Sequence, residues 1–307
     1  MSETRTITTA EVAALLRAPS PHDDKYSRGV LGMITGSTRY PGAAVLGVEA
    51  ALRTGVGMVR YLGPARAADL VLQRRPEAVT AEGRVQAWVL GSGMDAGATA
   101  VADGPAAGTG AEADTGAESA GRMRAALASG LPLVIDAGAL DAVALDTVAF
   151  DSAQAARGPA IITPHARELA RLTGGDLEAV LADPAGAARA AAEQLGVTVL
   201  LKGHATHVVS PGGPVLVARS ATPWLATAGA GDALAGILGA LVATHAAAES
   251  ASDGPLDLAH LARLGAAAAV VHGLAAQRAS AGGPLTVLDV CAAVPATIAA
   301  LLRGRGN

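Results

Sequence analysis

Along the chain, short runs of β-branched and aliphatic residues alternate with longer alanine-rich stretches. The runs are Val30–Thr35, Gly57–Leu62, Ala87–Leu90, Leu133–Ile135, Ala160–Thr163, Val197–Leu201 and His207–Val209, with Val215–Val217 after a turn. Each is nearly continuous in apolar character and bounded by glycine, proline or polar residues, the pattern of a strand buried on both faces. Helical stretches are expected at Ala43–Thr54, Met123–Ser129, His165–Leu172, Pro184–Leu195, Asp232–His245, Asp257–Arg278 and Val290–Arg303. The alternation predicts an α/β fold, a largely parallel sheet with helices on both faces. One close pair of runs, around Ser210-Pro211-Gly212-Gly213-Pro214, reads as an antiparallel hairpin.

The rhythm breaks at Gly97–Gly121, which is made almost wholly of Ala, Gly, Thr, Asp and Glu without aliphatic periodicity. Such a stretch contributes little to a core and is expected to be a mobile surface loop. Glu249–Pro255 repeats this character on a smaller scale. Neither break is flanked by a change of composition, so a single domain over residues 25–307 is expected, preceded by an N-terminal extension, residues 1–24.

Composition narrows the partners. With 307 residues, 51% of them hydrophobic and 16% charged, the chain can bury a sizeable core. A net charge of −4 gives no basic field for nucleic acid or an anionic membrane, so a small-molecule partner held by a local site is expected. Aromatic residues are only 2%, too few for a base-stacking platform. The single cysteine, Cys291, forms no internal disulfide and suits a reducing compartment. Met1–Arg17 lacks the basic start and long apolar run of a secretory signal, and the apolar stretch Ile237–Val242 is too short to span a bilayer. A cytoplasmic protein is expected.

The densest chemistry lies in Ala228-Gly229-Ala230-Gly231-Asp232, which opens an apolar, alanine-rich helix. Small residues let backbone N–H groups approach a phosphate, the helix terminus adds its positive end, and Asp232 is placed to take a proton from an attacking hydroxyl. Ordinary helix capping by Asp232 is the competing role. Other candidates follow strands, at the edge where open α/β sheets bind ligands. They are Gly36–Ala44 after the first run, Gly91-Ser92-Gly93 after the third, Asp136 after the fourth, and Thr163-Pro164-His165 before a helix. His165 either faces the cleft or serves as a hydrogen-bonded structural residue. Lys202, at the end of a strongly apolar strand, is costly there unless it meets an anion, and a phosphate supplies one. His204 and His207 lack further ligands at zinc-like spacing, so no metal site made by the protein is expected.

Taken in order, these pieces resemble the ADP-dependent NAD(P)H-hydrate dehydratase family of the ribokinase-like superfamily. The matches are Lys25–Gly29, Gly36-Ser37, Pro41–Ala44, the run Ala50–Gly57, Arg75-Pro76-Glu77, Gly91-Ser92-Gly93, Asp136–Leu140, Ile162–His165, Lys202-Gly203 and Gly229–Asp232. An ordered series is far more specific than any one glycine turn. Thr163-Pro164-His165-Ala166-Arg167-Glu168 keeps the His and Glu of the family's Thr-Pro-His-Pro-Gly-Glu but changes the turn between them.

The resemblance implies a ribokinase-like three-layer αβα sandwich and a repair reaction. The S-epimer of hydrated NADH or NADPH is dehydrated as ADP is split to AMP and phosphate, with Mg²⁺ screening the diphosphate. It implies Asp232 as the catalytic base. Lys202, Gly203, His204, Ala205, Thr206 and Gly231 are implied at the nucleotide, and Ala43, Gly93, His165 and Asp232 at the hydrate. ADP is favoured over ATP. It further implies a homo-oligomer and functional pairing with a separate NAD(P)H-hydrate epimerase, since residues 1–24 are too short to hold one. Two rivals share the glycine turn: an ATP-dependent kinase of a small alcohol such as a hydroxymethylpyrimidine or thiazole, and a non-catalytic nucleotide-binding protein.

Overall fold

A computed structural model describes residues 3–94, 111–140, 158–248 and 256–304. Its centre is a sheet of nine strands: β1 (Thr4–Thr6), β2 (Val30–Ile34), β3 (Met58–Tyr61), β4 (Ala87–Leu90), β5 (Leu133–Ile135), β6 (Ala160–Ile162), β7 (Thr198–Leu201), β8 (Thr206–Val209) and β9 (Val215–Ala218). The order across the sheet is β1-β9-β8-β7-β6-β5-β4-β2-β3. Only β8 runs against its neighbours, pairing antiparallel with β7 and β9. The expected hairpin at 210–214 joins β8 to β9.

The apolar runs become strands because both sheet faces are covered. Every residue of β2, β7, β8 and β9 is buried, and a parallel sheet offers no wet face to a polar alternate. One face carries α1 (Thr9–Leu15), α2 (Pro41–Thr54), α8 (Ala230–Ala248), α9 (Leu258–Ser280) and α10 (Val287–Arg303); the other carries α4 (Ala111–Leu127), α5 (Ala166–Thr173), α6 (Leu177–Ala182) and α7 (Pro184–Leu195). The remaining helix, α3 (Ala65–Arg74), packs on α2. This is the expected three-layer αβα arrangement. Helices α8 and α9 are long and apolar enough to cross a membrane, yet 72% of each apolar window is buried inside the protein.

One expectation is corrected. Residues 97–110 of the expected loop lie outside the described residues, but 111–121 form the first part of α4, so the helix foreseen at Met123–Ser129 begins well before it. The N-terminal extension, residues 1–24, contributes to the sheet and to a helical layer. Thr4–Thr6 adds a parallel edge strand to β9, in register Thr4 to Val215, and α1 packs against α9 and α10. Thr8 caps α1 by accepting from the Glu11 amide, while the Glu11 carboxylate accepts from the Thr8 amide.

Candidate active site

Strands β2, β4, β5, β6 and β7 are mutual neighbours and all parallel, so their carboxyl ends share one edge. The residues that follow them directly are Thr35, Gly91, Asp136, Thr163 and Lys202. The fold therefore collects segments spread over about half of the chain at a single rim.

Helix α8 brings Asp232 to this rim. Gly229, at φ +90°, makes the turn before the helix, and a Cβ there would lie 2.4 Å from Leu46. Further along, a Cβ on Gly236 would come within 2.2 Å of the Gly47 carbonyl oxygen. The glycines thus let α2 and α8 cross at backbone contact, which fixes the first turn of α8 against the start of α2. Ser92 Oγ donates a hydrogen bond to Asp232 Oδ1. Burial raises the Asp232 pKa above the usual carboxylate value, the Ser92 bond lowers it, the nearby Asp136 charge raises it again and Lys202 opposes; the net is upward.

Ser92 is held by its flanking glycines. Gly91 (φ +91°) and Gly93 (φ +69°) both take left-handed backbone, and a Cβ on Gly93 would sit 2.2 Å from that of Ala43. The structure therefore brings together Ala43, Gly93 and Asp232, three of the four residues expected at the hydrate.

Lys202 anchors the other side. Its Nζ lies 2.7 Å from Asp136 Oδ1 and 3.8 Å from Glu168 Oε2, and Thr163 Oγ1 donates to the same Asp136 oxygen at 2.7 Å. Burial would lower the Lys202 pKa, but the charges of Asp136, Glu168 and, more weakly, Asp232 raise it overall, so the ammonium stays charged. Gly231 lies against it: a Cβ there would be 3.6 Å from Nζ. A cavity of about 610 Å³ opens beside this pair. Of the six residues named for the nucleotide, Lys202, Gly203, His204, Thr206 and Gly231 line it, whereas Ala205 packs against the apolar core beside it. Its apolar wall comes from Pro223, Leu225, Leu234 and Ala269.

His165 lines this cavity beside Lys202 rather than the Ala43–Gly93 contact. It is the N-cap of α5. Nδ1 accepts from the Glu168 amide at 3.1 Å, and its own amide donates to Glu168 Oε2 at 2.8 Å, while the ring is half-exposed. The structural role weighed for it is therefore present, and its ring edge remains open to the cavity. Ser92, Thr163 and Glu168 were not singled out by sequence, although each stands inside a quoted motif. Their signal was position: Ser92 between two glycines, Thr163 directly after a strand, and Glu168 three residues beyond a cap. Among the described residues, no group of three or more His, Cys, Asp and Glu side chains is arranged to hold a metal ion.

The sequence model of the NAD(P)H-hydrate dehydratase family matches residues 31–292. The chain is 41% identical over 267 residues to the bifunctional NAD(P)H-hydrate repair enzyme Nnr of Mycobacterium leprae, covering 84% of this chain and 50% of that protein. It thus spans about half the length of the curated relatives of this kind. To the ADP-dependent (S)-NAD(P)H-hydrate dehydratase of Xanthomonas campestris pv. campestris it is 36% identical over 245 residues, 78% of this chain and 80% of that one. Among solved structures, the ADP/ATP-dependent NAD(P)H-hydrate dehydratase from Bacillus subtilis, co-crystallized with ATP/Mg²⁺, is similar with a TM-score of 0.76. Identity is 22%, with 97% of this chain and 99% of that chain covered. The fold is the ribokinase-like one expected from the sequence.

Proposed function

The chain belongs to the NAD(P)H-hydrate dehydratase family, and from that membership we propose that it dehydrates the S-epimer of hydrated NADH or NADPH at the expense of ADP, releasing AMP and phosphate. The observation that carries the reading is the placement of Asp232. It is a partly buried carboxylate at a glycine-turned helix start, oriented by Ser92 on one side and standing near a charged lysine on the other.

In this reading the ring hydroxyl of the hydrate lies over the Ala43–Gly93 contact and gives its proton to the Asp232 carboxylate as its oxygen attacks the terminal phosphorus of ADP. The bond to the bridging oxygen breaks and AMP departs. Lys202 and the amides at the start of α8 offset the charge that develops on the transferring group. The phosphate ester is a better leaving group than hydroxide, so phosphate then departs with the ring oxygen while the neighbouring ring carbon gives up a proton to solvent, and the ring double bond is restored. Uptake of one ADP and one hydrate yields AMP, phosphate, NAD(P)H and a proton.

Mg²⁺ belongs to this proposal as the usual counter-ion of a diphosphate. Because the Asp136 and Glu168 oxygens already face the Lys202 ammonium, the ion would be held chiefly by phosphate oxygens and water. An NAD(P)H-hydrate epimerase activity would complete the repair by converting the other epimer.

The test is recovery of reduced-nicotinamide absorbance from the purified S-hydrate with Mg²⁺ and ADP, ATP or no nucleotide. Recovery with ADP alone is expected. Recovery with ATP alone would keep the dehydration and overturn the nucleotide assignment, and no recovery with either would overturn the proposal.

A further inference from the structure

His272 lies on α9, one helical turn beyond Ala269, and both line the cavity beside Lys202. The residue is 7% exposed, and its Nε2 is buried without a hydrogen-bond partner. Burial lowers its pKa to about 4, so the ring is neutral at physiological pH and offers one N–H and one lone pair. Leaving such a group unpaired is costly, so a fold that retains it in a ligand-sized cavity is built for a partner that arrives with the ligand.

The surroundings hold the ring in place. At Gly273 a Cβ would meet Ser220 Oγ at 2.4 Å and its backbone at 2.6 Å, so α9 presses directly on the strand end leading into the 221–227 wall. Two hydrogen bonds fasten the contact, Ser220 Oγ to the Val270 carbonyl at 3.2 Å and Gln277 Nε2 to the Ser220 carbonyl at 2.8 Å. The cavity has two chemical ends. Lys202 and Gly231 make one suited to phosphate, whereas Pro223, Leu225, Leu234 and Ala269 make an apolar wall suited to a flat heterocycle. His272 stands in the second.

We propose that His272 reads the nucleobase, its unpaired ring nitrogen exchanging a hydrogen bond with the edge of an adenine that lies on the apolar wall. This assignment rests on reading the cavity as the nucleotide site. It divides the labour within the site: Lys202 and the α8 terminus recognise any polyphosphate, while His272 distinguishes one base from another. A base that presents the wrong donor or acceptor would leave the buried imidazole unpaired again and lose that increment of affinity.

The test uses titration calorimetry of the intact protein with ADP, inosine diphosphate and inorganic pyrophosphate, the last carrying no base. Wild type, His272→Leu and His272→Gln are compared after circular dichroism has established folding. His272→Leu is expected to bind ADP about tenfold more weakly, the size of one hydrogen bond, with pyrophosphate binding and the KM for the hydrate unchanged. His272→Gln is expected to regain part of the ADP affinity and to change the ratio of ADP to inosine diphosphate. A folded His272→Leu protein with wild-type ADP affinity, or with an equal loss for pyrophosphate, would overturn the proposal. If the leucine variant does not fold, an unchanged base ratio in His272→Gln overturns it and a changed ratio supports it. Wild type that binds pyrophosphate but not ADP would refute the role of His272 while sparing a phosphate site; wild type that binds neither would remove the nucleotide reading itself.

Discussion

Asp232 is asked to be a base from a place where its charge is expensive. Burial and the Asp136 charge push its pKa up, and the Ser92 hydroxyl is the main hydrogen bond holding it down. Removing that donor in Ser92→Ala therefore raises the pKa further, because a hydrogen bond to the ionised form favours that form. The acid limb of the kcat against pH profile is expected to move to higher pH in this variant, and a limb that stays in place or moves down would exclude Ser92 as the controlling donor. Asp232→Asn is expected to keep ADP affinity and lose about a hundredfold or more in turnover, the usual scale of a general base, measured by single-turnover recovery of reduced nicotinamide. The same raised pKa has a consequence for stability. A carboxylate bound more tightly to its proton in the folded state contributes stability below its unfolded pKa, and this is lost as pH rises through the folded value. At neutral pH the asparagine variant should therefore melt higher than wild type, so a single substitution separates activity from stability in opposite directions. Asp232 was legible from the glycine turn before a helix. Ser92 was not, because a serine between glycines looks like any turn until the fold carries it across 140 positions to the carboxylate.

Between elements, the packing of α2 decides where both halves of the site stand. Its carboxyl-terminal half is tied to α3 through Glu49, which is fully buried and receives Arg53 Nε at 2.6 Å, Arg74 Nε at 3.2 Å and the Arg75 guanidinium. Burial alone would raise the Glu49 pKa, but the hydrogen bonds from Arg75, Arg53 and Arg74 overcome it and hold the group at about 2. Its contribution to stability is thus present above about 4.5 and is lost as pH falls toward about 2. Glu49→Gln leaves three guanidinium groups facing a buried amide, and a loss of about 3 kcal/mol in urea unfolding at neutral pH is expected. A loss that does not shrink as pH is lowered through this window would show that packing, not charge, makes the contact. Its other half crosses α8 at Gly47 and Gly236. Gly236→Ala would drive a methyl group into the Gly47 carbonyl and force the helices apart, which costs about 1–3 kcal/mol and displaces the turn bearing Asp232. Turnover should fall even though residue 236 touches no ligand. The sequence showed α2 and α8 by their apolar spacing but not this crossing, since a glycine within a helical run gives no sign of its partner. The capping box of α1, Thr8 to Glu11, was not read from the sequence, since it stands in a stretch without an apolar run. Strand β1 was not readable at all: Thr4-Arg5-Thr6 is polar, and only the free edge of β9 makes it a strand.

At the scale of the whole molecule, the site exists because a parallel sheet delivers the ends of β2, β4, β5, β6 and β7 to one rim. The strands were legible because two covered faces demand uninterrupted apolar runs, and their bounds differ from the observed ones by a residue or two at most. The arrangement at the rim was legible only as a set of candidates, since strand order is a tertiary fact. Once assembled, the cavity joins five parts of the chain: the start of α5, the loop after β7, the 221–227 segment, the first turns of α8 and the stretch of α9 bearing Ala269 and His272. A ligand bridging them must stabilise the folded state, by about 2.7 kcal/mol when free ADP is at a hundred times its Kd. For a chain of this length that corresponds to a rise in Tm of roughly 5 °C. Lys202→Met is expected to abolish most of this rise, because the phosphate end loses the Lys202 ammonium, while Ser92→Ala, on the hydrate side of Asp232, should keep it. The Tm of the ligand-free lysine variant will itself fall, since Asp136 loses the ammonium 2.7 Å away and is left as a buried, uncompensated charge. The shift on adding ADP, not the ligand-free Tm, is therefore the quantity to compare. A Lys202→Met protein that gains as much from ADP as wild type would place the diphosphate elsewhere on the rim.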